Sequence, residues 1–194
     1  MSSPSRVFGL VEDRRQEGFL LRFLVLRGFR RDEVVIDVSP SGRGSAEQWV
    51  RKSFARQAAK CRGRNARAAT GMIVMVDADT HSVQQLLNAL DEALIRDNQP
   101  PIDETRDRIA RLIPKRNVET WILFLSSRGN HRPKIDEEHD YKQTRDADEW
   151  SNMIPIASET LVEWTHQPAN IPENTIDSLR HAIREIPRAI MPNH

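Results

Sequence analysis

Gly71-Met-Ile-Val-Met-Val76, followed at once by Asp77-Ala-Asp79-Thr80, is the stretch on which the fold turns. It is apolar throughout, has no helical spacing and stops at an acid, which is how a central strand of a parallel sheet reads when both its faces are covered. Upstream, Arg6-Val-Phe-Gly-Leu-Val11 ends at Glu12-Asp13, and Glu33-Val-Val-Ile-Asp-Val38 is broken by Ser39-Pro-Ser-Gly42. Downstream, Arg108-Ile-Ala-Arg-Leu-Ile113 forms a fourth strand-like run. Helical patterns lie between these runs. Arg14 to Gly28 carries Phe19, Leu20, Phe23, Leu24 and Leu26, and Ser45, a natural N-cap, opens a helix to about Lys60 with Trp49, Val50 and Phe54 inward. Ser82 to Arg96 aligns Leu86, Leu87, Leu90 and Leu94, and Pro114-Lys-Arg-Asn117 leads into a helix with Val118, Trp121, Ile122 and Leu125. Strand and helix in alternation predict an α/β fold with a mostly parallel central sheet flanked by helices.

After residue 125 the character changes. Ser126 to Glu149 is polar and acidic, and two helical stretches follow near Met153–Trp164 and Thr175–Ile186, separated by Pro168 and Pro172. The expected organisation is a single domain: residues 1–125 as the α/β core, and residues 126–194 as an acidic loop and C-terminal helical extension packed on it. At 194 residues, 38% hydrophobic and 29% charged, the chain has the composition of a globular domain able to bury a core without staples. No apolar run is long enough to span a bilayer, and Met1-Ser-Ser-Pro-Ser-Arg has no basic-then-apolar leader, so a cytoplasmic protein without membrane contact is expected. The single cysteine, Cys61, excludes an internal disulfide or a multi-cysteine zinc site.

In parallel α/β sheets, sites form at the carboxyl ends of strands. Glu12 follows the first strand, and Asp77 and Asp79 follow the central one. Two carboxylates two residues apart at a strand end can turn toward one ion, and magnesium takes one or two protein carboxylates with water and phosphate completing its shell. Glu12 would complete that shell or act as a general acid/base. Asp13 reads as the cap of the following helix, and Glu17 as a metal-facing or a surface acid. Glu119 reads either as a further active-site acid or as a first-turn acid complementing the helix dipole.

Val11-Glu12-Asp13 followed by a later strand ending in Asp77-Ala-Asp79 resembles the TOPRIM fold, the metal-binding domain of topoisomerases, primases and some nucleases. The family commonly has Gly where Asp13 stands, so a side chain occupies the first loop here. Glu12-Asp-Arg-Arg-Gln-Glu17-Gly-Phe19 and Pro114-Lys-Arg-Asn-Val-Glu119-Thr-Trp121 are more closely similar to small stand-alone TOPRIM-like proteins of bacteria, often associated with phage defence. The motifs span residues 7 to 125, and Ser178-Leu-Arg-His-Ala-Ile-Arg-Glu-Ile-Pro187 fits a closing helix of that family. The resemblance implies Mg²⁺ or Mn²⁺ held by Glu12, Asp77 and Asp79, with Glu119 as the next catalytic candidate. It also implies antiviral defence or nucleic-acid processing, beside an ATPase partner that this chain does not itself supply.

Net charge is only +1, but its distribution is uneven. Arg43, Arg51, Lys52, Arg56, Lys60, Arg62, Arg64 and Arg67 face one acid, Glu47, over 25 residues, and Lys115 and Arg116 lie near Glu119. Such a block suits a phosphate backbone or, alternatively, a solvated helix face. Trp49 and Phe54, which interleave it, read as core rather than as base-stacking groups. Asp136-Glu-Glu-His-Asp140 reads as a solvated loop rather than a metal site, and the remaining histidines are dispersed. Cys61 lies among arginines that would lower its pKa if it were exposed, and reads as structural. No phosphate-binding P-loop or dinucleotide glycine motif is present. The leading expectation is metal-dependent phosphodiester hydrolysis of DNA or RNA. A catalytically silent nucleic-acid or partner-binding module, and an enzyme that makes or cleaves a small nucleotide, stand as alternatives. The amphipathic C-terminal helices could serve a homodimer.

Overall fold

A computed structural model describes residues 4–40, 45–65, 69–130 and 134–190. Among them, strands β1 (Arg6–Val11), β2 (Val34–Val38), β3 (Thr70–Met75) and β4 (Ile109–Leu112) form one sheet in the order β2-β1-β3-β4. Every neighbouring pair is parallel, with Val7 opposite Val34, Arg6 opposite Thr70 and Met72 opposite Ile109. The strands lie where the apolar runs put them, shifted by no more than one residue at either end.

The chain is an α/β layer structure with helices on both faces. Side chains alternate across each strand, so Met72 and Val74 of β3 join one core while Ile73 and Met75 join the other. The first core is closed by α2 (Ala46–Asn65) and α3 (Val83–Arg96), through Val50, Phe54, Ala58, Leu90 and Leu94. The second is closed by α1 (Arg14–Leu26), α4 (Val118–Ser126), α5 (Ala147–His166) and α6 (Asp177–Ile190). Phe19, Phe23, Trp121, Trp150, Trp164 and Leu179 belong to that one cluster, so the C-terminal helices share their core with the sheet. Helix α4 is buried on all sides from Val118 to Leu125, and its two polar residues in that stretch, Glu119 and Thr120, sit in its first turn.

Three helices extend beyond their expected limits, and one of them, α2, runs past Lys60 to Asn65. Helix α5 starts at Ala147, within the stretch expected as loop, because Asp146 and Glu149 form a reciprocal capping box. It then runs through Pro155. Helix α6 continues past Pro187 to Ile190, and its last turn lies against β3, where a Cβ on Gly71 would collide with the Ala189 carbonyl oxygen. Glycine at position 71 is what allows that approach. At the outer edge of β4, the Arg111 backbone N–H donates to Glu185 of α6 at 3.2 Å, giving an edge-strand donor a partner. No described helix is long and apolar enough to cross a membrane.

Candidate functional site

Strands β1 and β3 are neighbours, yet the chain leaves β1 toward α1 on one face and leaves β3 toward α3 on the other. Connections that diverge in this way open a crevice at the carboxyl ends of the two strands. Glu12 immediately follows β1, and Asp77 stands just beyond β3. The Asp77 backbone N–H faces the Glu12 carboxylate and favours its charged form, which couples the two acids. Gln16, fully buried in the first turn of α1, ties them a second time. Its amide nitrogen donates to Asp77 Oδ1 at 2.9 Å, and its Oε1 accepts from the Glu12 backbone N–H at 3.0 Å. Asp13 caps α1, accepting from the N–H groups of Arg15 and Gln16 at 2.9 Å each, and that cap holds the first turn in place. Glu17 faces outward onto Arg14 at 2.7 Å.

The site is electrostatically costly. Burial above all, together with the nearby charges of Asp13 and Glu47, pushes the Glu12 carboxyl from 4.5 up to about 7, against the opposing effects of the Asp77 N–H and Lys142. Asp77 is held well above the ordinary carboxylate range, first by burial and then by the charge of Glu12. Glu12 Oε1 and Asp77 Oδ2 are buried without a hydrogen bond. Lys142 approaches Asp77 Oδ2 at 3.7 Å. Burial disfavours the lysine's charge, but the fields of Asp77, Glu119, Asp13 and Glu12 outweigh it and raise its pKa above 10.5.

The other acidic residues are placed differently. Glu119 is fully buried in the first turn of α4, paired with Arg15, and its second oxygen has no hydrogen bond. Its charge raises the pKa of Asp77, so it belongs to the same electrostatic unit. Asp79 does not converge with Asp77. Its backbone lies in the left-handed region at φ 52°, and its carboxylate is exposed on the rim, paired with Arg116 at 3.1 Å. Among the described residues, no three His, Cys, Asp or Glu side chains form a metal-holding group. Glu12, Asp77 and Glu119 each keep a buried oxygen without a hydrogen bond, and because Glu119 is already paired with Arg15, Glu12 and Asp77 are the hard oxygen donors that line the cleft. That donor set fits a magnesium or manganese ion that takes two protein carboxylates and keeps the rest of its shell for water and substrate.

Residues 134–146 complete the cleft, and their role could not be read from local sequence. Glu137 accepts from the backbone N–H and hydroxyl of Ser178 at the start of α6, at 3.2 and 2.7 Å. Glu138 pairs with Lys115 at 2.7 Å, and Asp140 accepts from Asn117 at 2.7 Å. His139 stands edge-on to the Tyr141 ring. Glu137 therefore pins the loop to the start of α6, Glu138 and Asp140 pin it to the connection between β4 and α4, and the loop carries Asp140 and Lys142 over the carboxyl end of the sheet. The resulting cleft of about 360 Å³ is lined by Glu12, Asp77, Asp79, Arg116, Asn117, Asp140, Lys142 and the start of α2 at Ser45, Ala46 and Glu47.

The basic block divides in two. Arg51 pairs with Glu47 at 2.9 Å. Arg62 binds Asp107 at 2.7 Å and the carbonyls of Pro100 and Pro101, clamping the loop after α3. Lys115 and Arg116, expected on a phosphate path, are engaged by Glu138 and Asp79. Lys52, Arg56, Lys60 and Arg64 are exposed on α2. Arg43 and Arg67 lie outside the described residues. Phe54 is buried and Trp49 packs against the same core, which leaves neither presented for base stacking. Cys61 is buried, donates to the Thr70 carbonyl, and is pushed up to about 12 by burial and by Asp107, so the nearby arginines do not activate it. A separate groove of about 400 Å³ between α2 and α3 includes Arg51, Lys52 and Arg96 and lacks both Glu12 and Asp77. A scan of protein-family models, a search of curated proteins and a search of solved structures each return no match for this chain.

Proposed function

We propose that the cleft is a TOPRIM-like active site that hydrolyses phosphodiester bonds of nucleic acid with Mg²⁺ or Mn²⁺. One observation carries this reading: the buried Asp77 and the half-buried Glu12, which follow adjacent parallel strands, each keep a buried oxygen without a hydrogen bond at the crevice between those strands. Burying like charges together is costly unless a cation neutralises them. A divalent ion held there supplies a Lewis acid for the phosphoryl oxygens. Asp77 and Glu12 would hold the ion, or Glu12, its carboxyl pushed up to about 7, would instead take the proton of the attacking water. Gln16 engages Asp77 Oδ1, which leaves Oδ2, now beside Lys142, as the oxygen that would be offered to an ion. Lys142 places a cation where charge builds on the phosphate. Glu119 would act as a positioning residue through Arg15, and Asp79, paired with Arg116, would reach an ion only if that pair opened. Service in phage defence with an ATPase partner rests on the resemblance alone.

A catalytically silent binding module is the second reading, favoured by the outward turn of Asp79 and by the lysine already beside Asp77. The test is cleavage of labelled DNA and RNA, single- and double-stranded, with Mg²⁺, Mn²⁺ or EDTA, comparing the parent with Asp77→Ala. Metal-dependent cutting reduced by at least about 10³-fold in the variant is expected, since the Lewis-acid and positioning contributions are lost together. No cutting of any substrate, with binding intact in EDTA, selects the silent module.

A further inference from the structure

After Glu47, helix α2 contains no acid, and its four free basic side chains recur every fourth residue at Lys52, Arg56, Lys60 and Arg64. All four are exposed and none pairs with an acid among the described residues. Four-residue spacing places them on one oblique ridge, and at 1.5 Å per residue that ridge is about 18 Å long. The helix begins at the cleft, since Ala46 and Glu47 line it, and Arg64 lies about 27 Å along the helix from that rim. None of the exposed large apolar residues, Val25, Val35, Ile95 and Ile156, lies on α2, so the ridge has no apolar belt of the kind that seats a helix in a lipid surface. A mononucleotide in the cleft would leave the ridge unused.

We infer that α2 is a one-sided backbone track for a nucleic-acid duplex, which leaves the cleft over the outer face of α2 and needs about 8 base pairs, at 3.4 Å each, to reach Arg64. This rests on the cleft being the place of phosphodiester cleavage and adds the substrate class: a polymer extending to one side, not a free nucleotide. Four cations on a duplex give a salt dependence of binding with slope about −3.6, or about −0.9 for each.

The test is fluorescence anisotropy of the full chain with labelled duplexes from about 4 to about 16 base pairs, in EDTA, across a salt series. Expected is an affinity that rises with length to about 8 base pairs and then levels, with the slope reduced by about 0.9 in each single Gln variant and by 3 to 4 in the fourfold Lys52→Gln/Arg56→Gln/Lys60→Gln/Arg64→Gln variant. Circular dichroism and thermal melting check that these surface changes leave the fold intact. A fourfold variant with an unchanged slope overturns the inference. So does equal affinity for the shortest and longest duplexes, or a loss in the variant seen only on phosphatidylserine vesicles. Cleavage by the parent together with an unchanged slope removes the track and keeps the hydrolase. The expected slopes with no cleavage under any metal keep the track and remove the hydrolase.

Discussion

In the metal-free protein, Glu12 should set much of the pH dependence of stability. Its carboxyl rises from 4.5 to about 7 on folding, chiefly through burial. The folded chain therefore keeps a proton that the unfolded chain releases between those values. Stability from this group is complete below about pH 4.5 and is lost as pH rises through about 7. A gap of about 2.5 units at ~1.4 kcal/mol each makes the loss about 3 kcal/mol. Asp77 is shifted in the same direction and adds to it, and because the two acids interact, the titration belongs to the pair. Glu12→Gln keeps the shape and removes one ionisation. Urea unfolding in EDTA from about pH 5 to about pH 8 should show the parent falling steeply and the variant falling less, with the variant more stable by about 3 kcal/mol at the upper end. Saturating Mg²⁺ should restore the parent at the upper end by mass action and should do less for the variant. A variant that tracks the parent at every pH, or is weaker at the upper end, would refute the picture of a buried acid short of a cation.

Three further outcomes follow from the same geometry. Gln16→Leu strips a partner from the Glu12 N–H and from Asp77 Oδ1, and should cost about 2 to 4 kcal/mol in urea unfolding; a loss below about 1 kcal/mol contradicts its bridging role. Gly71→Ala should cost about 3 kcal/mol and speed amide exchange in the last turn of α6, because the new methyl meets the Ala189 carbonyl; unchanged exchange there shows that the helix does not rest on β3. The Cys61 thiol, held at about 12 and buried, should resist a disulfide reagent in the native protein at about pH 8 and react on unfolding; native reaction at the rate of a free thiol contradicts its burial.

Much of the architecture was legible because it depends on local pattern. Four apolar runs separated by helical stripes specify a parallel layer, and acids at the ends of two runs mark its crevice. Asp13 as a helix cap was equally local. The reading of Asp77 and Asp79 as a converging pair failed on backbone direction. In extended chain, residues two apart share a face, but the chain turns after Ala78, where the His81 N–H bonds back to the Ala78 carbonyl, and the positive φ of Asp79 carries its side chain away. Lys142 and Gln16 escaped notice for different reasons. Lys142 reaches the site only through the folded path of residues 134–146, whereas Gln16, four residues after Glu12 in a capped first turn, carried a signal that an inward polar residue there would face the crevice. Ion pairing divided the basic block in a way composition cannot show, because Asp107, the partner of Arg62, is far away in sequence.

The loop that brings Lys142 to Asp77 also has a consequence in time. During synthesis, β1, β3 and their two acids emerge well before Lys142, and Glu137 has no anchor until Ser178 arrives with α6. A nascent chain can thus pair its central strands while the mouth between them is still unroofed and the acids lack their lysine. Chains fold from the end made first, and contacts between distant segments form late. The mouth of the pocket is therefore finished late, when α6 seats and fixes the loop, well after β1 and β3 have brought their acids together.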